Sequence, residues 1–148
     1  MKILIKVVLT LGLTVIVRNA IAVDLASNEI HVVTSASSVD LTLKQIKKIY
    51  LGMNVSRSGA SSQLSVTLPS HHQIRHLFNV KIIGLSEARI NTFWAQMRFS
   101  GRGKPAIELQ DQQAIIEYLI SNPGSIGYLS AITPIPTRLK IIYASNDH

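Results

Sequence analysis

"VTLPSHHQIRHLF", Val66 to Phe78, reads as a strand, a turn and a helix start in one short stretch. The β-branched run suits a strand, and Pro69 ends it because proline cannot donate to a sheet ladder. Ser70 is the expected N-cap, with Gln73 at the capping-box position, and Ile74, Leu77 and Phe78 fall on one inward face. A helix start presents unpaired N–H groups and a partial positive charge. Ser70, His71, His72 and Arg75 therefore form a candidate oxyanion site, although plain capping accounts for the same residues equally well.

The same design recurs on both sides. Upstream, "EIHVVTSAS" predicts a buried strand from Glu29 to Thr34. "LTLKQIKKIYLG" then opens with a Thr42/Gln45 capping box and a Leu41/Ile46 staple. It turns Leu43, Ile46, Ile49 and Tyr50 to one face and stops at Gly52. Downstream, Ser86 opens a third helix whose Ile90, Phe93, Trp94 and Met97 share a stripe, so Trp94 is expected in the core. Asp111 opens a fourth, with Ile115, Tyr118 and Leu119 inward, and Asn122-Pro123-Gly124 ends it. Short strands follow at Ile126 to Leu129 and in "RLKIIYA". Strands alternating with about four helices predict an α/β sandwich.

The chain begins with Lys2 and Lys6, an eleven-residue apolar run from Val7 to Val17, and the small-x-small site Ala20-Ile21-Ala22. Residues 1–22 are thus expected to be a secretory signal peptide, since the apolar run is well short of the ~20 residues that span a bilayer. Cleavage there would leave residues 23–148 as one domain. It would also remove 3 of the 15 basic residues, leaving 12 against 8 acidic ones, a net charge of +4. That balance suits an anionic ligand, and a secreted location argues against nucleic acid as a partner. The chain contains no cysteine, so the domain is held by its core without a disulfide. "MNVSRSGASSQ", Met53 to Gln63, reads as a Ser/Gly-rich surface loop.

Catalytic signals are lacking: there is no G-x-S-x-G, no H-E-x-x-H and no cysteine nucleophile, so a non-enzyme is expected. His72 and His76 have the i, i+4 spacing of a metal pair, but no carboxylate or cysteine offers a third ligand. They read as exposed helix histidines, with no metal site expected. "FSGRGKP", Phe99 to Pro105, sets Arg102 and Lys104 among two glycines. It is either a second oxyanion contact or a flexible turn.

Taken together, "LTLKQIKKIYLGM", the strand before "PSHHQIRHLF", "NTFWAQMRFSGRGKPAIEL" and "NPGSIGYLSA" resemble the second half of the phosphate-binding proteins of ABC transporters, from about Ile30 to Tyr143. The resemblance implies a type 2 periplasmic-binding fold without a cofactor, shortened to about one lobe, because family members run to well over twice this length. It implies a periplasmic, solute-binding-like protein for a small phosphate-like oxyanion, linked to ABC-type phosphate uptake or sensing. The ligand residues would be Ser70, His71, His72, Arg75, Arg102 and Lys104. The family's strand arginine and Ser-Gly-Thr triplet are replaced here by Leu68 and by His72, Gln73 and Ile74. A lobe without its partner lobe has a second use as an interaction module, docking on a membrane sensor or transporter.

Overall fold

The computed structural model describes residues 28–53, 55, 64–100 and 103–146. The expected leader, Arg102 and most of the Ser/Gly-rich loop lie outside the described residues. Among the described residues, five strands and four α-helices follow one another: β1 (Ile30–Ser35), α1 (Leu43–Tyr50), β2 (Val66–Thr67), α2 (Gln73–Phe78), α3 (Glu87–Ser100), β3 (Ile107–Glu108), α4 (Gln112–Ser121), β4 (Ile126–Ser130) and β5 (Leu139–Ala144). Among the described residues, no helix is long and apolar enough to cross a membrane.

β1 is the centre of an antiparallel sheet in the order β4-β1-β5, and β2 pairs in parallel with β3. A parallel bridge from Ser65 to Ile126, with the Ile126 N–H donating to the Leu64 carbonyl at 2.9 Å, joins the two sheets edge to edge. Neighbouring residues of β4 show how the layers are filled, because successive side chains point to opposite faces. Tyr128 stacks on Phe78 of α2 and lies near Tyr50 of α1, which places α1 and α2 on one face. Gly127 faces α4 on the other. A Cβ added there would come within 2.8 Å of Ile115 Cγ2 and 3.0 Å of Val66 Cγ2, so hydrogen is the only side chain the packing admits. The result is the α/β sandwich that the alternation of elements predicts.

Local signals set the helix starts at both ends of the domain. Thr42 and Gln45 form the full capping box of α1, with Leu41 and Ile46 both buried behind it, and Asp111 caps α4 through the Ala114 N–H at 2.8 Å. Gly52 ends α1 at φ 70°, a conformation costly for any residue with a Cβ.

α2 begins differently from the expectation. His72, rather than Ser70, is its N-cap: the backbone of His72 is extended and its Nδ1 accepts the Ile74 N–H at 3.2 Å. Ser70 and His71 are instead the centre of a turn closed by the His72 N–H on the Pro69 carbonyl, 2.9 Å, which delays the helix by two residues. α2 then widens into a π-helical turn over Asn79–Ile83, closed by Gly84 at φ 81°.

A second correction concerns α3. Of its expected inward stripe only Ile90 is buried; Phe93, Trp94 and Met97 are half-buried, and Phe99 is 95% exposed. Trp94 is not a core residue. Its ring lies against Gly52, where a Cβ would come within 2.6 Å of Trp94 Cη2.

Candidate functional site

The site forms where β2 ends, and two tyrosines fix that end. The Tyr50 hydroxyl donates to the Val66 carbonyl at 2.9 Å, while the Tyr128 hydroxyl accepts the Leu68 N–H at 3.0 Å and shares a 2.8 Å bond with the Thr67 hydroxyl. Their rings sandwich Phe78: it stacks on Tyr128 with centroids 3.9 Å apart and planes 7° from parallel, and meets Tyr50 at 4.6 Å. Burial pushes the Tyr128 phenol up from 10.0 to about 12, outweighing the hydrogen bonds from Thr67 and Leu68 that lower it. Burial also raises Tyr50 well above its ordinary value, with Tyr128 beside it adding to the shift. Both phenols are therefore neutral hydrogen-bonding anchors at physiological pH and not proton carriers.

From α2, Arg75 turns back over this strand end. Its Nε and Nη2 form a fork on Glu87, at 3.1 and 2.6 Å, and its Nη1 donates to the Leu68 carbonyl at 2.7 Å and to Glu108 Oε2 at 3.0 Å. Asn79, buried in the π turn, donates from Nδ2 to Glu87 Oε2 at 2.6 Å. Glu87 lies in the first turn of α3, where a carboxylate also complements the helix dipole. One guanidinium thus ties together β2, α2, α3 and β3.

Beside Arg75 opens a cavity of about 350 Å³. Thr67 and Ser70 line it from the strand end, Asn91, Trp94 and Arg98 from α3, and Glu108 from β3. Arg98 is exposed and, among the described residues, has no ion-pair partner. The charges around the cavity cancel, Arg75 and Arg98 against Glu87 and Glu108. The arrangement offers hydrogen-bond donors, an indole and a cation with no ion-pair partner among the described residues, which suits a small polar ligand better than an apolar one.

Of the sequence candidates among the described residues, Ser70 and Arg75 line this cavity, and Arg102 lies outside the described residues. His71 is exposed and His72 is committed to its capping bond, both off the cavity wall. Lys104 is exposed and also off the wall, although its neighbours Pro105 and Ala106 belong to it. Arg75 reaches the cavity already held by two carboxylates. His72 and His76 belong to no group of three potential metal ligands among the described residues. Sequence reasoning missed Asn91 and Arg98, although with Trp94 they make an i, i+3, i+7 stripe on α3 that a helical reading contains. It also missed Glu87 and Glu108, whose pairing with Arg75 spans 12 and 33 residues and leaves no local mark.

No family model matches the chain, and neither does any curated protein. Among solved structures it is similar to an ABC-type phosphate transport receptor from Vibrio cholerae. The TM-score is 0.56 and the identity 17%, over 76% of this chain and 44% of the receptor. The likeness is one of fold: a mixed α/β, periplasmic-binding-protein-like architecture the size of a single lobe. The chain spans less than half the length of that receptor.

Proposed function

We propose that this chain is an exported, non-enzymatic, solute-binding-like lobe that holds a phosphate-like oxyanion in the cavity at the end of β2, in the service of phosphate uptake or sensing at the inner membrane. The observation that carries the reading is that Ser70, Arg75 and Arg98, the last without an ion-pair partner among the described residues, line one cavity. The likeness to an ABC-type phosphate transport receptor supports the ligand class, and the sequence pattern of residues 1–22, with its Ala20-Ile21-Ala22 site, supports a periplasmic location. The non-enzymatic reading rests on the chemistry of the cavity, where the acids are held in ion pairs and the phenols beneath are kept neutral.

A single lobe leaves water in competition for every hydrogen bond, so the affinity should be modest, with Kd about 0.1 to 1 mM. Calorimetry of the exported chain with phosphate and with sulfate tests this. Binding that weakens several-fold in Arg98→Ala supports it, and the absence of heat with both anions overturns it.

One observation favours a second reading, the interaction module. Phe99 is 95% exposed on α3, a few residues from half-buried Phe93 and Trp94, which meet edge to face at 5.2 Å. An aromatic side chain left uncovered beside two half-buried ones is the material of a docking surface for a membrane sensor or transporter.

A further inference from the structure

We propose that Glu108 is a built-in competitor of the ligand: its carboxylate occupies the place on Arg75 that an oxyanion takes, and binding proceeds by displacing it. The inference rests on the oxyanion reading and adds to it what controls access to the arginine.

The contacts of Arg75 divide into two kinds. Glu87 receives the fork from Nε and Nη2 together with the Asn79 bond, and its side chain is only 22% exposed. The Leu68 carbonyl, in a fully buried residue, takes one Nη1 hydrogen at 2.7 Å. These fix the plane and direction of the guanidinium. The second Nη1 hydrogen goes to Glu108, whose side chain is 57% exposed, makes this single bond at 3.0 Å among the described residues, and stands on a two-residue strand with both residues exposed. A carboxylate that is well hydrated and held by one contact gives up its partner far more readily than a buried fork does.

Position and charge agree with this division. Arg75 and Glu108 both line the cavity, as do Ser70, Asn91 and Arg98, so the N–H that Glu108 now occupies is the one an occupant of the cavity would meet. Glu87 neutralises Arg75 from outside the cavity lining, so with Glu108 in place the two arginines and two glutamates cancel, and with Glu108 swung into solvent one positive charge is left uncompensated beside the cavity. A dianionic oxyanion such as phosphate or sulfate interacts with Arg75 and Arg98 together and so competes better than a monocarboxylate.

The test is a chemical-shift titration of the exported chain with inorganic phosphate and with sulfate at pH 7, for the wild type, Glu108→Gln, Glu108→Ala and Glu87→Gln. Removing an exposed competing charge should tighten binding about 2- to 5-fold in both Glu108 variants, whereas Glu87→Gln should weaken it. Thermal unfolding checks that each variant is folded, and the isosteric Gln variant decides if the Ala variant is not. Wild-type binding with Glu108 variants that bind equally or more weakly overturns the inference and leaves the oxyanion reading standing. Tightening in Glu87→Gln equal to that in the Glu108 variants also overturns it, since net charge alone would then be responsible. If no form binds either anion, the oxyanion reading fails and takes the inference with it.

Discussion

α3 and α4 both carry large apolar residues at helical spacing, yet the structure uses them in opposite ways. The ten residues of α4 bury Ile115, Ile116 and Leu119 against the sheet face that Gly127 leaves open, whereas the fourteen residues of α3 bury only Ile90. α4 holds the sandwich together. α3 lends Glu87 to Arg75, gives Asn91, Trp94 and Arg98 to the cavity, and leaves Phe99 in solvent. The difference teaches that a helix can be apolar for the sake of a cavity or a partner as well as for a core, and burial is what separates the cases.

The largest effect should come from the packed side of the molecule. Phe78 is 1% exposed between Tyr50 and Tyr128, so Phe78→Ala removes the middle ring of the stack and leaves a cavity. The expected loss is ~3 to 5 kcal/mol, read from the urea midpoint at constant slope. A loss under about 1 kcal/mol would mean the sheet does not depend on the ring cluster, and the contrast with α3 would collapse.

The same cluster predicts an alkaline limit. A phenol whose folded pKa is raised keeps its full contribution below the unfolded value of 10.0 and loses it as the pH rises towards about 12. For Tyr128 that two-unit window corresponds to roughly 3 kcal/mol at most. Denaturant unfolding between pH 10 and pH 12 should show stability falling, with no loss from this group below that range. A flat profile to pH 12, the upper end of the Tyr128 window, would show that the hydroxyl is not held neutral by burial. Trp94→Ala should matter less than Phe78→Ala, about 1 to 2 kcal/mol, because the half-buried indole rests on Gly52 and the cavity rim instead of filling the core. A loss matching that of Phe78→Ala would return Trp94 to the core.

What was legible in the sequence was local. The Thr42/Gln45 box, the Asp111 cap and the Gly52 stop each depend on residues within a few positions of one another. The strongest pieces of the family resemblance, "IYLG" and "NPGSIGYL", turn out to carry Tyr50 and Tyr128. Their hydroxyls meet the end of β2 from 16 and 60 residues away, contacts that no spacing rule contains. Ser70 failed as a cap because the Pro69 to His72 turn was competing for the same residues. The carboxylates of Arg75 arrive from other elements and leave no local mark, and Trp94 looked central because periodicity marks a face without saying what covers it.

The smallest expected change in stability is also the most discriminating. Phe99 is 95% exposed, so Phe99→Ala removes almost no buried area and should move the urea midpoint by no more than about 0.5 kcal/mol. Oxyanion affinity should likewise hold, since Phe99 does not line the cavity. If α3 serves a partner, the variant should lose its effect in the cell, or its retention on inner-membrane vesicles, while remaining folded and able to bind phosphate. A stability loss above 1 kcal/mol would place Phe99 in a packed environment and remove the contrast between the two helices. Unchanged stability, anion binding and membrane retention together would sink the docking role of α3, leaving its aromatic residues to serve the cavity alone.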